Sequence, residues 1–482
     1  MFKQFFKDSA IYWLGITLSQ GIGLILLPIY ARVFSPAMYG VIDILLIMAK
    51  LVYLVVALEI SQALARFYTE IKSKDDRVKY ASTALWFAGT MYTLFGLIAW
   101  WFADPLSNLV LGVEGQTVIF KIAVLTMWAE GLFYLLQGQL RYRLQATAFA
   151  VVSICNVAVS VGTVLILLLV FKLGVVAVFC GQFIGALAGL GLAFYFSRDD
   201  YRPVFDRAKC REMLSFSIPL VPSSIGIFVT LYIDRIMIKW LMSIGDLGIY
   251  AVGYRVASIM LLLSVGVQAA LTPLIYNYYQ KPDTPQELAK IFRYFTAFAL
   301  LVVIGLSIFA PEILMILTTP EYYGASQLIA CLAPAVLLYR MYIFAPGLSI
   351  AKQTKKIAVI NIGSALLNIG LNLLLIPRIG LMGAGIATLL SSVVAFSAQM
   401  ILSQQQYFVP HAWRNLTLAL LFSIGIVWVG AQVNMDLWTD IMLKMMLLGM
   451  AAGGFILMGL LRVEELKSAR LLLTHFQIAN KI

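Results

Sequence analysis

Fourteen long, uniformly apolar segments dominate this sequence of 482 residues. A helix needs about 20 apolar residues to cross a bilayer, whereas barrel strands are shorter and alternate between apolar and polar residues. The pattern therefore predicts an all-α polytopic membrane protein with about fourteen transmembrane helices. The segments cover residues 10–33, 39–60, 81–103, 117–139, 146–171, 173–196, 213–241, 246–272, 292–317, 325–348, 354–376, 380–402, 412–433 and 437–461.

The distribution of charge supports this class of protein. Only 12% of the residues are charged, against about 25% in a soluble domain. The net charge of +12 does not indicate a nucleic-acid partner, because 25 of the 35 Lys and Arg residues fall in alternate loops on one predicted side. The positive-inside rule therefore predicts that both termini are cytoplasmic. The turns on the other side are too short to form an external catalytic domain.

An internal repeat divides the chain. The stretch Ser35–Gly40 resembles Ser243–Gly248, 208 residues later. Residues 167–174 resemble residues 373–380, 206 residues later. Both halves begin on the same predicted side, so the repeat is parallel, about an axis along the membrane normal. We predict an N-terminal six-helix lobe (1–196), a cytoplasmic linker (197–212), a C-terminal six-helix lobe (213–402), an extra helix pair (412–461) and a cytoplasmic tail (462–482).

The first apolar segment contains a candidate hinge. Gly21 and Gly23 favour flexibility, and Pro28 removes a backbone hydrogen bond from the helix. The alternative is a static kink, which is common in membrane helices.

Basic residues inside the apolar segments are candidate cavity residues, because a charge at that depth must face protein or water. Lys50 falls near the membrane midplane, and we expect it to line a cavity. Arg235 and Lys239 lie one helical turn apart and repel, so a protein carboxylate or an anionic substrate should neutralise them. Arg340 falls in the inner part of the tenth segment.

Acidic residues lie at comparable depths. Asp43 shares a helix face with Lys50, and Asp234 is a candidate ion-pair partner for Arg255. Glu59 belongs to a polar face near the inner membrane surface, where the alternative is an interfacial ion network. Glu130 begins a stripe that continues through Tyr134, Gln137 and Arg141. Such a stripe is typical either of a wet surface or of interhelical hydrogen bonding.

The sequence contains no Walker-type phosphate loop and no H-E-x-x-H motif, and its two histidines, His411 and His475, lie near the predicted cytoplasmic edge. ATP hydrolysis and zinc chemistry are therefore unsupported. We expect no cofactor and no bound metal.

The order of several short motifs resembles the polysaccharide-biosynthesis (Wzx-like) flippases of the multidrug/oligosaccharidyl-lipid/polysaccharide exporter superfamily. Each motif is degenerate, but together they cover essentially the whole chain. The motifs are Pro28-Ile29-Tyr30-Ala31-Arg32 with Tyr39-Gly40; Pro219, Asp234-Arg235, Gly248-Ile249-Tyr250 and Pro273; and Asn368, Asn372 to Pro377, Gly380 and Gly383 to Thr388.

The resemblance implies two six-helix lobes facing each other in a V and the translocation of undecaprenyl-diphosphate-linked sugar units across the bacterial inner membrane. The product would be O-antigen (lipopolysaccharide), capsule or exopolysaccharide. The resemblance also implies a cationic cavity that includes Arg32. In this sequence, however, five basic residues within the apolar segments are matched by five acidic ones, so their number does not determine the net charge of the cavity. The bases are Lys50, Arg235, Lys239, Arg255 and Arg340, and the acids are Asp43, Glu59, Glu130, Asp234 and Glu312.

These observations favour a lipid-linked oligosaccharide flippase that works by alternating access and is not an enzyme. The alternatives are a cation-coupled multidrug exporter that uses Asp234 or Glu130, a membrane-embedded glycan polymerase or ligase, and a non-transporting scaffold. The implied partners are the lipid-linked substrate, membrane lipids, and proteins of the polysaccharide polymerase and chain-length-regulator classes.

Overall fold

The computed structural model describes residues 21, 23–113, 115–433 and 436–461. Within these residues all the regular structure is helical, and thirteen helical spans are long and apolar enough to cross a membrane. A shorter apolar helix, α1 (Gly23–Val33), is the described part of the first predicted segment. The predicted all-α polytopic membrane fold is thus confirmed. The start of the first segment (10–20), Glu114 and the tail (462–482) lie outside the described residues.

The chain divides into two compact units, Met1–Ala251 and Val252–Ile482. The lobe boundaries predicted from the sequence, 1–196 and 213–402, stay a prediction. The helices that begin in the first unit are α2 (Pro36–Val55), α3 (Ile60–Glu70), α4 (Lys74–Trp101), α5 (Ala103–Leu111), α6 (Thr117–Tyr142), α7 (Ala146–Leu165), α8 (Val175–Ser197), α9 (Arg207–Ser217), α10 (Val221–Leu241) and α11 (Ile244–Ala257).

The second unit continues from within α11 to the end of the described chain. Its core is helical throughout the described residues. Its helices are α12 (Ile259–Tyr278), α13 (Thr284–Ile308), α14 (Ala310–Leu317), α15 (Ser326–Arg340), α16 (Gly347–Ile350), α17 (Thr354–Ile379), α18 (Leu381–Gln406), α19 (Trp413–Gln432) and α20 (Leu437–Leu457).

Several segments predicted as single helices are broken. The segment 39–60 ends its first helix at Val55, because Leu58 and Glu59 have left-handed φ angles of 49° and 55°. The segment 292–317 divides between α13 and α14, just before Pro311. Proline has no N–H to donate, so it is favoured at the start of the new helix rather than inside the old one.

The predicted repeat is visible in the backbone. Gly174 has φ 60° and ψ −140°, and Gly380 has φ 61° and ψ −141°; each precedes a long helix. The hydroxyl of Ser35 accepts a hydrogen bond from the Met38 N–H at 3.5 Å, and the hydroxyl of Ser243 accepts one from the Asp246 N–H at 3.0 Å. Gly174 and Gly380 are 206 residues apart, and Ser35 and Ser243 are 208 residues apart, as in the sequence repeat.

The two repeat-related stretches also pack against each other within the first unit. A Cβ added at Gly40 would overlap the carbonyl oxygen of Ile244, and a Cβ added at Gly248 would overlap that of Pro36. Residues 36 and 244 differ by the same 208 positions as residues 40 and 248, so the two contacts are reciprocal. The glycines therefore allow α2 and α11 to meet backbone to backbone about a local twofold axis.

A buried ion cluster joins the extra helix pair to α14 within the second unit. The Nζ atom of Lys444 on α20 lies 2.5 Å from Oε1 of Glu312 on α14 and 2.7 Å from Oδ2 of Asp440. The Lys444 side chain is only 3% exposed. Sequence analysis placed Glu312 among the buried acids but did not identify Lys444, its partner.

Candidate functional site

The first polar cluster inside the spans of the first unit joins α2 to α10. Nε of Arg235 lies 3.6 Å from Oδ2 of Asp43, and their side chains are 5% and 12% exposed. The negative group expected near Arg235 is therefore a protein carboxylate. A role for Arg235 in binding cargo stays a prediction.

Asp234 extends this cluster. Its carboxylate accepts a hydrogen bond from the hydroxyl of Tyr250 on α11 and another, at 2.8 Å, from the backbone N–H of Arg235. Tyr250 is completely buried. We call Asp43, Asp234, Arg235 and Tyr250 the Arg235 cluster. It contains two carboxylates and one guanidinium.

Tyr250 was missed as a site residue, although it stands in the Gly-Ile-Tyr motif. Tyr250 lies sixteen residues after Asp234, on the next helix, and helical periodicity does not predict contacts between different helices. The pairing of Asp234 with Arg255 stays a prediction.

A second polar cluster lies between α2 and α6. The hydroxyl of Tyr53 donates a hydrogen bond of 2.5 Å to Oε2 of Glu130, near the middle of α6. The Nζ atom of Lys50 lies 5.9 Å from the centroid of the Tyr53 ring. We call Lys50, Tyr53 and Glu130 the Lys50 cluster.

Lys50 is exposed, whereas Arg235 is buried. Within the described residues, its ammonium has no carboxylate at ion-pair distance. An exposed lysine within a membrane span costs about 2.5–3.5 kcal/mol at the helix centre if it faces hydrocarbon. We therefore expect its ammonium to face an aqueous cavity, where it is available to an anionic ligand.

Lys239 and Arg235 contact different groups of the protein. Its Nζ atom donates a 2.9 Å hydrogen bond to the carbonyl oxygen of Leu109, in the last turn of α5, and lies 5.0 Å from the Trp240 ring centroid. A lysine at the carboxyl end of a helix satisfies carbonyls that have no partner in the helix. Lys239 therefore has a protein partner of its own, different from the carboxylate that pairs with Arg235.

The remaining predicted cations lie on three other helices. Arg32 is exposed near the end of α1, Arg255 is half-buried on α11, and Arg340 is half-buried at the last residue of α15. Nε of Arg340 is buried without a hydrogen-bond partner in the described part of the chain. A role for these three residues in binding cargo stays a prediction.

The other candidate residues lie at helix ends or in α1. Glu59 is buried at the left-handed break between α2 and α3. Gly23 and Pro28 lie in α1, which is continuous through the proline, and a Cβ added at Gly21 would meet no atom within 4 Å. The continuous helix is compatible with both a hinge and a static kink.

The family model described as polysaccharide biosynthesis protein matches residues 5–279, more than half of the chain. The chain belongs to this family. The model of the MatE family matches residues 219–374, which overlap the end of the first match.

Two relatives of the chain carry names from glycan biosynthesis. The probable low-salt glycan biosynthesis flippase Agl15 of Haloferax volcanii is 29% identical over 197 residues, which cover 40% of this chain and 41% of Agl15. The succinoglycan biosynthesis transport protein ExoT of Rhizobium meliloti is 22% identical over 243 residues, covering 50% of this chain and 47% of ExoT. The chain thus matches less than half the length of each relative.

Solved structures share the fold at low sequence identity. The lipid II flippase MurJ in an inward closed conformation superposes with a TM-score of 0.71 at 16% identity, over 93% of this chain and 99% of MurJ. An inward-facing multidrug resistance MATE transporter of the MOP superfamily gives 0.66 at 14% identity, over 83% of this chain and 98% of that one.

Proposed function

We propose that this protein is a flippase that moves undecaprenyl-diphosphate-linked oligosaccharide across the bacterial inner membrane by alternating access. The observation that carries the proposal is the exposed Lys50 inside a membrane span of a polysaccharide-biosynthesis family member. The flippase and transport names of Agl15 and ExoT support the same activity, as does the fold shared with the lipid II flippase MurJ. The glycan would serve O-antigen, capsule or exopolysaccharide assembly.

In this mechanism the diphosphate of the cargo meets Lys50 in the cavity while the polyprenyl chain stays in the lipid. Glu130 accepts the Tyr53 hydroxyl, and Lys50 contacts the face of the same tyrosine ring. Lys50 and Glu130 thus contact the same tyrosine, and within the described residues they form no ion pair with each other. The Arg235 cluster contributes the buried contact that holds α10 against α2.

A cation-coupled multidrug exporter is the second candidate. The two buried carboxylates of the Arg235 cluster favour it, since an ionised acid in a membrane span binds protons or cations. The MatE match over residues 219–374 points the same way.

Deletion of the gene and complementation in the native host test the proposal. The deletion strain should accumulate lipid-linked oligosaccharide and lose surface polysaccharide, and the wild-type chain should reverse both effects. Mass spectrometry of extracted polyprenyl-linked glycans gives the first readout, and drug susceptibility is measured in parallel. A strain with normal polysaccharide and altered drug resistance would favour the exporter.

Both termini are proposed to be cytoplasmic, from the loop charges. In a cysteine-free background, Cys at Asp436 should react with a membrane-impermeant maleimide added from outside, whereas Cys at Lys355 should react only after permeabilisation. Both positions are exposed, so accessibility of the side chain does not separate them. Labelling of the Lys355 position in intact cells would contradict the topology.

We further propose that α1 bends at Gly21, Gly23 and Pro28 when the cavity changes the side on which it opens. The variant Pro28→Ala restores the backbone N–H and should leave the amount of protein in the membrane unchanged while slowing transport several-fold. Export of polysaccharide at matched protein levels checks this expectation. Full activity of the variant would leave only the static kink.

A further inference from the structure

A basic pocket lies at one end of the helices of the first unit. Its volume is about 840 Å³, and it is formed where α3, α6 and α8 end and α4 begins. Its charged residues belong to the stretches that the loop charges place on the cytoplasmic side. Its lining includes Lys74, Arg77, Arg141, Arg143 and Asp200.

Asp200, the acid among these lining residues, is already satisfied by protein groups. Its Oδ2 atom accepts hydrogen bonds from Nε2 of Gln139 at 2.7 Å and from the hydroxyl of Tyr68 at 3.1 Å, and Nη1 of Arg143 lies 3.6 Å away. Burial, and then the charge of Asp200, raise the pKa of Tyr68 to about 12, so its hydroxyl stays protonated and donates. Asp200 is therefore matched by Arg143, and the charges of the other three cations add to the potential of the pocket.

Those three cations are arranged around the opening. Nε of Arg77 donates a 2.6 Å hydrogen bond to the carbonyl of Ile71, and its guanidinium lies 5.3 Å from the Tyr68 ring centroid. Arg77 is thus held in position by the protein. Lys74 and Arg141 are exposed residues of the pocket lining, and the guanidinium of Arg141 lies 5.9 Å from the Phe149 ring centroid. Such a concentration of positive charge favours an anion, and a guanidinium favours phosphate in particular.

The rim of the pocket is apolar on one side. Leu144 lies between Arg143 and Gln145, has a left-handed φ of 57°, and is 80% exposed. The strained backbone is fixed by hydrogen bonds from the Leu144 N–H to the Arg141 carbonyl and from the Gln145 N–H to the Leu140 carbonyl, both 2.9 Å. A large apolar side chain beside a basic pocket matches a ligand with both an anionic and an apolar part.

We infer that this pocket binds the phosphate headgroup of an anionic amphiphile of the membrane, with Leu144 beside the start of the apolar chain. The headgroup belongs either to an anionic phospholipid or to a polyprenyl diphosphate, which share this chemistry. The site is separate from the Lys50 cluster, and the inference stands whether or not the protein transports glycans.

The test uses the full-length protein in detergent, titrated with phosphatidylglycerol and followed by native mass spectrometry. In the variant Lys74→Gln/Arg141→Gln both exposed cations are lost, while the half-buried Arg77 and Arg143 are kept. The control Lys72→Gln/Lys79→Gln removes the same charge from two exposed lysines that do not line the pocket. We expect the pocket variant to raise the Kd for phosphatidylglycerol by about tenfold or more. The control should change it less than twofold.

Two further arms identify the ligand. Phosphatidylcholine, whose headgroup carries no net charge, should bind more weakly than phosphatidylglycerol. A polyprenyl diphosphate should compete at the same site, and the ratio of the two Kd values shows which headgroup the pocket fits better. Arg141→Lys, which keeps the charge, should retain most of the affinity. Equal Kd values for the pocket variant and the control, or phosphatidylcholine binding as tightly as phosphatidylglycerol, would overturn the inference.

Discussion

Lys50→Gln is expected to leave the protein folded and to lower the rate of glycan-lipid transport by about a hundredfold or more. A phosphate charge about 4 Å from the ammonium is worth about 4 kcal/mol at an effective dielectric of 20, and each 1.4 kcal/mol is a tenfold change. The side chain is exposed, so the substitution leaves no buried group without a partner. Polysaccharide export in the deletion strain, at matched protein levels, measures the effect.

Lys121→Gln is the matched control. Lys121 also lies in a membrane span of the first unit, where its Nζ atom is 5.3 Å from the Trp100 ring centroid and outside the Lys50 cluster. This variant should export polysaccharide normally. Lys50→Arg should keep at least about a tenth of the activity, because it preserves the charge. Normal export by Lys50→Gln would remove Lys50 from the cargo site.

Arg235→Met should instead reduce the stability of the protein, by about 3–5 kcal/mol. Removing one member of a buried ion pair leaves an uncompensated buried charge, and here the carboxylates of Asp43 and Asp234 would both remain. We expect little folded protein in the membrane and a lower thermal unfolding temperature in detergent. Thermal unfolding of the purified protein gives the readout.

The double variant Asp43→Asn/Arg235→Met distinguishes a structural pair from a cargo contact. If Arg235 chiefly neutralises Asp43, removing both charges should recover much of the lost stability. A single Arg235→Met variant that folds like the wild type but does not transport would contradict this account. Such a result would return Arg235 to the cationic cavity that the family resemblance implies.

The contrast between Lys50 and Arg235 shows how far the sequence could specify the site. Helical periodicity placed Asp43 on the face of Lys50, and both residues do lie within a membrane span. In the structure, however, Asp43 contacts Arg235, and Lys50 contacts Tyr53 on its own helix. Periodicity defines one face of one helix, but it does not define which helix packs against that face.

The fold was easier to predict than the site, because segment length and hydrophobicity act locally. The repeat was visible because Gly174 and Gly380 occupy a backbone conformation with positive φ that favours glycine. By contrast, the break at Leu58 and Glu59 contains no glycine or proline that would have indicated it. The sequence shows the spacing of Asp440 and Lys444, one helical turn apart, but it gives no signal for the contact of Lys444 with Glu312, which is remote in the chain.

The central claim is that this chain moves an anionic glycan lipid, with Lys50 as the cation that faces it. Purified protein in liposomes that contain a polyprenyl-diphosphate-linked oligosaccharide tests it most directly, with a membrane-impermeant glycosidase reporting arrival of the glycan at the outer leaflet. We predict that the wild type and Lys121→Gln expose the glycan rapidly, and that Lys50→Gln behaves like protein-free liposomes. Wild-type liposomes that expose the glycan no faster than protein-free ones, while exporting a cationic dye along an ion gradient, would contradict the claim.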